Sequence, residues 1–472
     1  MKIEQIYTGC LAQGAYYIES EGEAVIIDPL REVEPYIQKA EKDKATIKYV
    51  FETHFHADFV SGHLDLSEKT GASIVYGPNA ETSFKAIVAK DGQKFKVGAV
   101  TFTVLHTPGH TMESSCYLLT NEHGKDVALF SGDTLFIGDV GRPDLAQKTG
   151  VITKEDLAAT LYKSLREKIL PLNDDIIVYP AHGAGSACGK NMSKETTDTL
   201  GHQKLTNYAL RASMTEGEFV KEVITGLTPP PPYFSLNVLM NKEGYESIDE
   251  VMERGNHALS PDAFETAANE TDALMLDTRA PQEFARGFIP NSINIGIDGS
   301  FAPWVGTLIP DIKQKLLIIA DNDREEEVVI RLARVGYDFT IGYLKGGFEA
   351  WKVSGKEVDT ISVIDSQRLA EMENADTQII DVRNPSEFMS EHVKNAENRP
   401  LDTLNESMAG LDKSKTYYVH CASGYRSMIF NSILKARGFD NLVDVTGGFK
   451  AIKESGLIET TDFVCPTTLK QG

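Results

Sequence analysis

The second half of the chain contains an internal repeat. The segment 276–284 (LDTRAPQEF) matches 380–388 (IDVRNPSEF), and 344–350 matches 445–451 around a shared Gly-Gly-Phe. The members of each pair lie about 100 residues apart, which is far longer than a solenoid unit. The repeat therefore predicts two copies of one small α/β domain, in which a strand is followed by an amphipathic helix.

The rest of the chain predicts one further domain and a linker. Its 472 residues suggest about three domains. Strand-like and helix-like patterns alternate over residues 1–230, and the proline run 228–232 interrupts any regular element. We therefore predict a first domain at 1–230, a linker at 231–257, and the repeated domains at 258–358 and 359–472. The predicted fold class is mixed, α/β or α+β.

The composition indicates which classes of binding partner and which cellular compartment are expected. The formal net charge of −22 argues against binding to a nucleic-acid backbone, which requires Lys and Arg stripes. No apolar run approaches the length that spans a membrane, and the first residues lack the apolar core of a signal peptide. The five cysteines are widely spaced without a Cys-x-x-Cys pair, which favours a reducing cytoplasm over a disulfide framework.

Three short runs in the first 180 residues together predict a metal site. His54 lies in a His-x-His-x-Asp run, His110 follows a Pro-Gly turn, and Asp133 follows an apolar strand-like run. Two neutral imidazoles and one carboxylate are typical of non-haem Fe(II) sites that react with O2 and leave positions open for substrate. The sequence therefore predicts one Fe(II) ion per chain, held by His54, His110 and Asp133.

These runs resemble the metallo-β-lactamase superfamily, whose pattern is His-x-His-x-Asp-His, a later His, a later Asp and a final His. The resemblance implies an αββα fold for residues 1–230. Within the superfamily, the runs 107–111, 132–135 and 141–144 are similar to the mononuclear-iron persulfide dioxygenases, whose iron ligands correspond to the three residues named above. The departure is Phe59, which stands where the superfamily pattern has a histidine.

Four further residues of the predicted pocket each have two possible interpretations. The resemblance implies that His56, Asp58 and His182 orient the ligands and bound water, whereas they could also be remnants of a second metal site. With Phe59 present, such a second site would keep only Asp58 and His182 as terminal ligands. Arg142 is predicted either to bind an anionic group of the thiol substrate or to form a salt bridge with Asp144.

A cysteine loop in the last domain predicts sulfur transfer. Cys421 follows a strand and precedes a helix, where backbone N–H groups and the helix dipole favour a thiolate, a persulfide or a bound anion. Arg426 would hold an oxyanion such as sulfite. Four residues separate Cys421 from Arg426, one fewer than in tyrosine phosphatases.

The loop resembles that of the rhodanese family, as do these residues of the repeat: Asp381, Arg383, Glu387, Gly447 and Gly448. In that interpretation Ser423, Gly424 and Tyr425 bind the substrate; the alternative is a buried structural cysteine.

The middle copy lacks this chemistry. Asp321 stands where the nucleophile would be, and the loop before Arg324 is two residues shorter. We predict a rhodanese-like domain without activity that packs against or positions its neighbours. Cys188 either accepts sulfur near the metal or lines the pocket, and structural roles are predicted for the other three cysteines, Cys10, Cys116 and Cys465.

The whole chain resembles the persulfide dioxygenase–rhodanese fusions. This resemblance implies Fe(II)- and O2-dependent oxidation of a low-molecular-weight persulfide to sulfite and thiol, followed by sulfur transfer through Cys421 to sulfite, giving thiosulfate, as in sulfide detoxification. Two alternatives stay open, a zinc-dependent thioester hydrolase of the glyoxalase II kind and a sulfur carrier that delivers sulfur to a partner.

The expected partners are a small persulfide, O2 and sulfite, and no nucleic acid or membrane is expected. The chain is expected to form a homo-oligomer in the cytoplasm. The thiol, whether glutathione, coenzyme A, cysteine or bacillithiol, is left open.

Overall fold

The computed structural model describes residues 1–147, 151–374 and 376–465. The chain forms two compact units. The first consists of residues 1–250 with 333–336, and the second consists of residues 251–332 with 337–472.

The first unit is built on two six-stranded sheets. The first sheet contains, in spatial order, β1 (Lys2–Thr8), β2 (Gln13–Ser20), β3 (Glu23–Ile27), β4 (Thr46–Phe51), β5 (Ser73–Tyr76) and β6 (Ile87–Val88). The second contains, from one edge to the other, β7 (Lys94–Val97), β8 (Val100–His106), β9 (Ser115–Thr120), β10 (Asp126–Gly132), β11 (Ile177–Pro180) and β12 (Asp198–Thr199). Each sheet combines antiparallel hairpins with parallel strand pairs. In the first sheet β3 pairs in parallel with β4, and in the second β10 pairs in parallel with β11.

Helices cover both outer faces of this pair of sheets. They are α1 (Glu34–Asp43), α2 (His63–Thr70), α3 (Lys154–Ser164), α4 (Leu200–Thr206), α5 (Glu216–Ile224) and α6 (Phe234–Glu243). An aromatic core that includes Tyr16, Phe51, Phe102 and Phe130 brings together residues of both sheets. One further core joins the first sheet to α1 and α2, and another joins the second sheet to α3 and α5. The resulting αββα arrangement is the one that the resemblance to the metallo-β-lactamase superfamily implies.

Helix α3 shows how the sequence specifies one of these layers. Thr153 caps its N-terminus in a capping box with Asp156, which satisfies backbone N–H groups that have no partner within the helix. Leu157 and Leu161 recur on one face and are fully buried, and a wider π-type turn continues the buried stripe through Leu165 and Ile169.

The second unit contains two five-stranded parallel sheets with the same strand order. They are β13 (Ala258–Leu259), β14 (Leu274–Asp277), β15 (Ile293–Asn294), β16 (Leu316–Ile319) and β17 (Thr340–Leu344), and then β18 (Ser362–Ile364), β19 (Gln378–Asp381), β20 (Ala396–Asn398), β21 (Tyr417–His420) and β22 (Leu442–Val445). The orders β13-β17-β16-β14-β15 and β18-β22-β21-β19-β20 are equivalent, as the internal repeat predicts.

Helices flank these sheets at corresponding places. Helix α7 (Ile248–Gly255) leads into the second unit, followed by α8 (Pro261–Thr271), α9 (Pro281–Arg286), α10 (Phe301–Leu308), α11 (Glu325–Ala333), α12 (Gly347–Val353), α13 (Ser366–Met372), α14 (Pro385–Ser390), α15 (Leu404–Ser407), α16 (Tyr425–Ala436) and α17 (Gly448–Ser455). The repeated Asp-x-Arg forms the same buried ion pair in both copies, Arg279 with Asp277 and Arg383 with Asp381. Each guanidinium also lies over a phenylalanine ring.

The segment 231–257, which the proline run indicates as a linker, contains ordered helices instead. Helix α6 buries Phe234, Asn237 and Asn241, and α7 follows it. The sequence does not predict these helices, because a polar Asn carries no periodic apolar signal, although its amide can bind buried backbone groups. Among the described residues, no helix has both the length and the apolar composition needed to cross a bilayer.

Candidate functional site

Three loops that follow strands bring the predicted metal ligands together. His54 follows β4, His110 follows β8, and Asp133 follows β10. All three side chains are buried, and their donor atoms lie within 4.8 Å of one another. Nε2 of His110 is 3.3 Å, and Nε2 of His54 is 3.8 Å, from Oδ2 of Asp133.

The buried carboxylate of Asp133 makes the donor set suited to a metal ion. Neither carboxylate oxygen of the buried Asp133 has a hydrogen-bond partner among the described residues. A buried charge is costly unless it is paired or coordinates a metal, so this carboxylate is suited to bind a cation.

Hydrogen bonds at the far side of each ring leave Nε2 available as a ligand. Nδ1 of His110 lies 2.8 Å from the carbonyl oxygen of Arg142, to which it can only donate. Nδ1 of His54 lies 3.0 Å from Oγ1 of Thr53, whose hydroxyl donates to Asp28 at 2.8 Å. Both rings thus carry their proton on Nδ1, an arrangement that orients metal-binding imidazoles. Burial, with the neighbouring imidazoles of His56 and His110, holds the pKa of His54 well below its usual value, so its ring is neutral.

A second group of donors lies beside the first. Donor atoms of His56, Asp58 and His182 also lie within 4.8 Å of one another. These are the three residues for which the sequence leaves open a role in orienting the ligands or an origin as remnants of a second metal site. Phe59 is fully buried, and its ring centroid lies 4.3 Å from that of His56. It occupies this group with a side chain that cannot bind a metal.

His56 and His182 also contact carboxylates. Nε2 of His56 is 3.1 Å from Oδ1 of Asp28. Nε2 of His182 is 3.5 Å from Asp58 and 3.7 Å from Asp133. Burial acts to lower the pKa of His182, but these two carboxylates raise it, and the result lies well above the usual value. His182 is therefore suited to donate hydrogen bonds between the carboxylates, the role that the resemblance implies for it.

Two further residues that the sequence singles out are Arg142, whose guanidinium is bound within the protein, and Cys188, whose thiol is neutral. Arg142 is buried and binds Asp144 through two hydrogen bonds of 2.7 Å, with a further bond to the carbonyl oxygen of Thr228. These contacts are those of the salt-bridge alternative rather than of a substrate anchor. Burial, with the nearby carboxylates Asp58 and Asp133, raises the pKa of Cys188 to about 12, so its thiol stays protonated at neutral pH.

Residues that the sequence analysis did not single out hold the loop of His54. The side chain of Asn241 donates to the carbonyl oxygens of His56 and Phe59 and accepts from the N–H of Ser61, at 2.8–2.9 Å. Asp28 accepts hydrogen bonds from the N–H and the hydroxyl of Thr53. Only Asp28 had a sequence signal, as the polar residue that ends a buried strand.

Gly141 holds Asp133 and His110 in place from the other side. Its N–H donates to the carbonyl oxygen of Asp133 at 2.9 Å. A Cβ at this position would lie 2.2 Å from that oxygen and 2.9 Å from Nδ1 of His110. Only glycine therefore permits this approach of backbone to the donor group.

The cysteine loop of the second unit follows β21 as predicted. Cys421 is buried, and Sγ accepts a hydrogen bond of 3.1 Å from the N–H of Gly424, whose φ of 106° favours glycine. The N–H of Phe449 donates to the carbonyl oxygen of Cys421 at 2.7 Å. A Cβ on Gly448 would lie 2.3 Å from that oxygen, so the Gly-Gly pair permits the contact.

Arg426 and Tyr425 have partners within the protein. Arg426 makes two hydrogen bonds with Glu387, at 2.6 and 2.9 Å. The hydroxyl of Tyr425 donates to the carbonyl oxygen of Gly296 at 2.7 Å. Arg426 would therefore have to bind sulfite while it also binds Glu387. Because the hydroxyl of Tyr425 is bound to Gly296, only the backbone of Tyr425 faces the cysteine loop. Ser423 lies in the loop itself.

The middle copy has the predicted substitution at the corresponding place. Asp321 follows β16, and Arg324 is bound by Asp298 and Glu327. A cavity of about 400 Å³ lies beside Asp321, Gly346 and Gly347. Because a carboxylate stands where the other copy has the thiol of Cys421, this place offers no sulfur nucleophile.

Comparisons with known proteins match separate parts of the chain to two families. Residues 8–182 match the metallo-β-lactamase superfamily, and residues 260–354 and 366–455 match the rhodanese-like domain. A Haemophilus influenzae hydroxyacylglutathione hydrolase, GloC, is 32% identical over 213 residues, which are 40% of this chain and 94% of that protein.

Two solved structures are similar to larger parts of the chain. A metallo-beta-lactamase from Staphylococcus aureus is 33% identical with a TM-score of 0.64, over 72% of this chain and 98% of that one. ETHE1 from Myxococcus xanthus is 28% identical with a TM-score of 0.44, over 51% of this chain and 98% of that one. The chain therefore belongs to the metallo-β-lactamase superfamily, and rhodanese-like domains follow its metallo-β-lactamase domain.

Proposed function

We propose that the chain is a persulfide dioxygenase joined to a sulfurtransferase. One Fe(II) ion, held by His54, His110 and Asp133, would supply the activation of O2. The overall reaction is RSSH + O2 + H2O → RSH + SO3²⁻ + 2H⁺. The observation that supports it most is the donor set itself, two imidazoles that leave Nε2 available and one buried carboxylate without a hydrogen-bond partner among the described residues, next to a second group in which Phe59 stands at a ligand position.

The protein side chains have definite tasks in this proposal. Thr53 and the carbonyl oxygen of Arg142 keep the two imidazoles in the tautomer that leaves Nε2 free. His182, between Asp58 and Asp133, would hold a proton close to the donor set. Phe59 and the other buried aromatic rings exclude water from that side of the pocket.

The second reaction belongs to Cys421. Its sulfur would take the outer sulfur of a second persulfide, releasing RSH, and pass it to sulfite, giving thiosulfate. The sum is RSSH + SO3²⁻ → RSH + S2O3²⁻. The N–H of Gly424 donates to Sγ and would stabilise negative charge on that sulfur. Sulfite made by the first reaction is thus the acceptor in the second, which is a chemical reason for joining the two domains in one chain.

Oxygen uptake by the purified full-length chain, loaded anaerobically with Fe(II), tests the first reaction. With glutathione persulfide as substrate, we expect one O2 consumed per two persulfides when thiosulfate is the product, and one O2 per persulfide in Cys421→Ser, where sulfite is the product. We expect at least a hundredfold loss of rate in His110→Ala. His123→Ala is the matched control, because that side chain is exposed between β9 and β10 and should leave the rate unchanged. If His110→Ala retains both iron and oxygen uptake, the ligand assignment fails.

A thioester hydrolase is the second candidate, favoured by two observations. The similarity to a hydroxyacylglutathione hydrolase is one, and the presence of His56 beside Asp58 and His182 is the other. Two zinc ions per chain, with hydrolysis of a hydroxyacylglutathione and no uptake of O2, would select this function over the dioxygenase.

A further inference from the structure

One face of helix α16 contacts the rhodanese-like copy that lacks the cysteine. Tyr425, Met428 and Ser432 are spaced three and four residues apart, so they lie on the same face of the helix. Oη of Tyr425 donates to the carbonyl oxygen of Gly296 at 2.7 Å, and Oγ of Ser432 accepts from the N–H of Asn294 at 2.9 Å. Met428 belongs to a buried cluster with residues of the inactive copy, Phe284, Ala285 and Phe288.

The ring of Tyr425 fits a place that only glycine leaves open. A Cβ on Gly299 would lie 2.3 Å from the ring, and a Cβ on Gly296 would lie 3.3 Å from it. The contact at Gly299 could not be relieved by a flexible side-chain end, because the atoms met belong to a rigid aromatic ring, whereas the contact at Gly296 is tight but less severe. Burial raises the pKa of Tyr425 well above its usual value, so the hydroxyl stays protonated and remains a donor.

The same tyrosine is joined directly to the catalytic loop. Gly424, its neighbour in the chain, supplies the N–H that donates to Sγ of Cys421. Because Gly424 has φ of 106° and no side chain, nothing in the residue itself restricts its backbone to one orientation. The fixed ring of Tyr425, one residue further on, therefore limits how the donating peptide can move.

We propose that the inactive copy is a platform that positions the cysteine loop, and that Tyr425 is the positioning residue through which it acts. This inference deepens the proposed sulfur-transfer function and rests on it. It assigns a role to a copy that lacks a nucleophile, since Gly296 and Gly299 seat the first residue of α16. The sequence analysis had placed Tyr425 among the substrate-binding residues; the contacts give its side chain this other task.

The reactivity of Cys421 in the full-length chain tests the proposal. The rate of its alkylation by iodoacetamide is measured against pH by peptide mass spectrometry, and thiosulfate formation from glutathione persulfide and sulfite is measured in parallel. For Tyr425→Ala we expect the alkylation rate at neutral pH to fall about tenfold and the profile to move to higher pH, because the N–H donor is no longer held on the sulfur. Tyr425→Phe, which keeps the ring, should restore the rate to within about threefold of the wild type.

A substitution in the inactive copy gives an independent test that leaves Tyr425 intact. Gly299→Ala should lower the alkylation rate as Tyr425→Ala does, and the two changes combined should cost no more than one alone. Gly217→Ala on α5 is the matched control, because a Cβ there meets nothing within 4 Å. Should Tyr425→Ala fail to fold, Gly299→Ala and Tyr425→Phe still decide the question.

The outcomes separate this inference from the proposed function. Unchanged alkylation profiles and unchanged thiosulfate formation in both Gly299→Ala and Tyr425→Ala would overturn the platform and leave the sulfur transfer standing. A wild-type chain that forms no thiosulfate would overturn the proposed transfer, whereas the alkylation profiles would still measure the positioning of Cys421.

Discussion

At the scale of single residues, one aromatic side chain distinguishes the two groups of donors. His54, His110 and Asp133 form a set whose carboxylate oxygens have no described hydrogen-bond partner. The adjacent group contains Phe59, fully buried against His56. We expect a change at this one position to alter how many metal ions the pocket binds while leaving the fold around it unchanged.

Phe59→His tests this role of the aromatic ring. The new imidazole would join His56, Asp58 and His182, so we expect the metal content to rise from one towards two ions per chain and oxygen uptake to fall. Metal analysis after dialysis against Fe(II) or Zn²⁺ measures the stoichiometry. The matched control is Phe55→His in the same loop, whose ring packs on Tyr76, and it should still bind one ion.

Asp444 makes a pH-dependent contribution to stability. Burial raises the pKa of this carboxyl group on β22 to about 7, although Asn431 donates a hydrogen bond to it. The folded state therefore holds a proton that the unfolded state releases above its ordinary pKa of 3.8. The contribution is complete below that value and is lost as pH rises towards 7, by about 1.4 kcal/mol for each pH unit.

Denaturant unfolding at a series of pH values checks this expectation. Asp444→Asn should remove the loss between about pH 4 and 7, whereas Asp402→Asn, at an exposed position, should keep the wild-type dependence. Parallel curves for Asp444→Asn and wild type would show that this carboxyl group does not titrate as described.

At the scale of elements, the site is made of loops that rigid strands and one distant helix hold in place. The strands β4, β8 and β10 each end just before a donor residue. Helix α6 adds Asn241, whose amide binds three backbone groups of the loop that carries His54. The donor geometry thus depends on a segment that contributes no ligand.

Asn241→Ala tests the support given by α6. It leaves two buried carbonyl oxygens and one N–H without their partner, so we expect the free energy of unfolding of the metal domain to fall by about 1–3 kcal/mol. Iron affinity, measured by competition with a chelator, should weaken as well. Ser235→Ala on the exposed face of the same helix should change neither quantity.

The sequence predicted the elements that have strong local signals and missed those that depend on distant contacts. The repeated Asp-x-Arg and Gly-Gly-Phe runs predicted two equivalent domains. The three donor residues could be identified because each follows a strand-like run. Asn241 could not be found in this way, since it is 180 residues from Ser61 and lies on a helix with almost no apolar periodicity. The ion pair of Arg426 with Glu387 likewise joins residues 39 positions apart.

At the scale of the whole molecule, the proposed function combines two reactions that share sulfite. The metallo-β-lactamase domain and the rhodanese-like domains are distinct matches along the chain. The two rhodanese-like copies differ just after the fourth strand of each sheet in chain order, where one has Asp321 and the other has Cys421. Only the second copy therefore offers a nucleophile for sulfur.

Cys421→Ser separates the two reactions in the intact chain. With excess persulfide, Fe(II) and O2, the wild type should release thiosulfate, whereas the variant should accumulate sulfite at an unchanged rate of oxygen uptake. Chromatography of derivatised sulfite and thiosulfate measures both products. Cys465→Ser is the matched control and should behave as the wild type; undiminished thiosulfate from Cys421→Ser would contradict the relay.

Anomalous scattering at the iron edge, from crystals grown anaerobically with Fe(II), tests the central claim most directly. The account predicts one peak per chain, within bonding distance of Nε2 of His54, Nε2 of His110 and a carboxylate oxygen of Asp133. Two peaks bridged by Asp133, or a single peak among His56, Asp58 and His182, would contradict it.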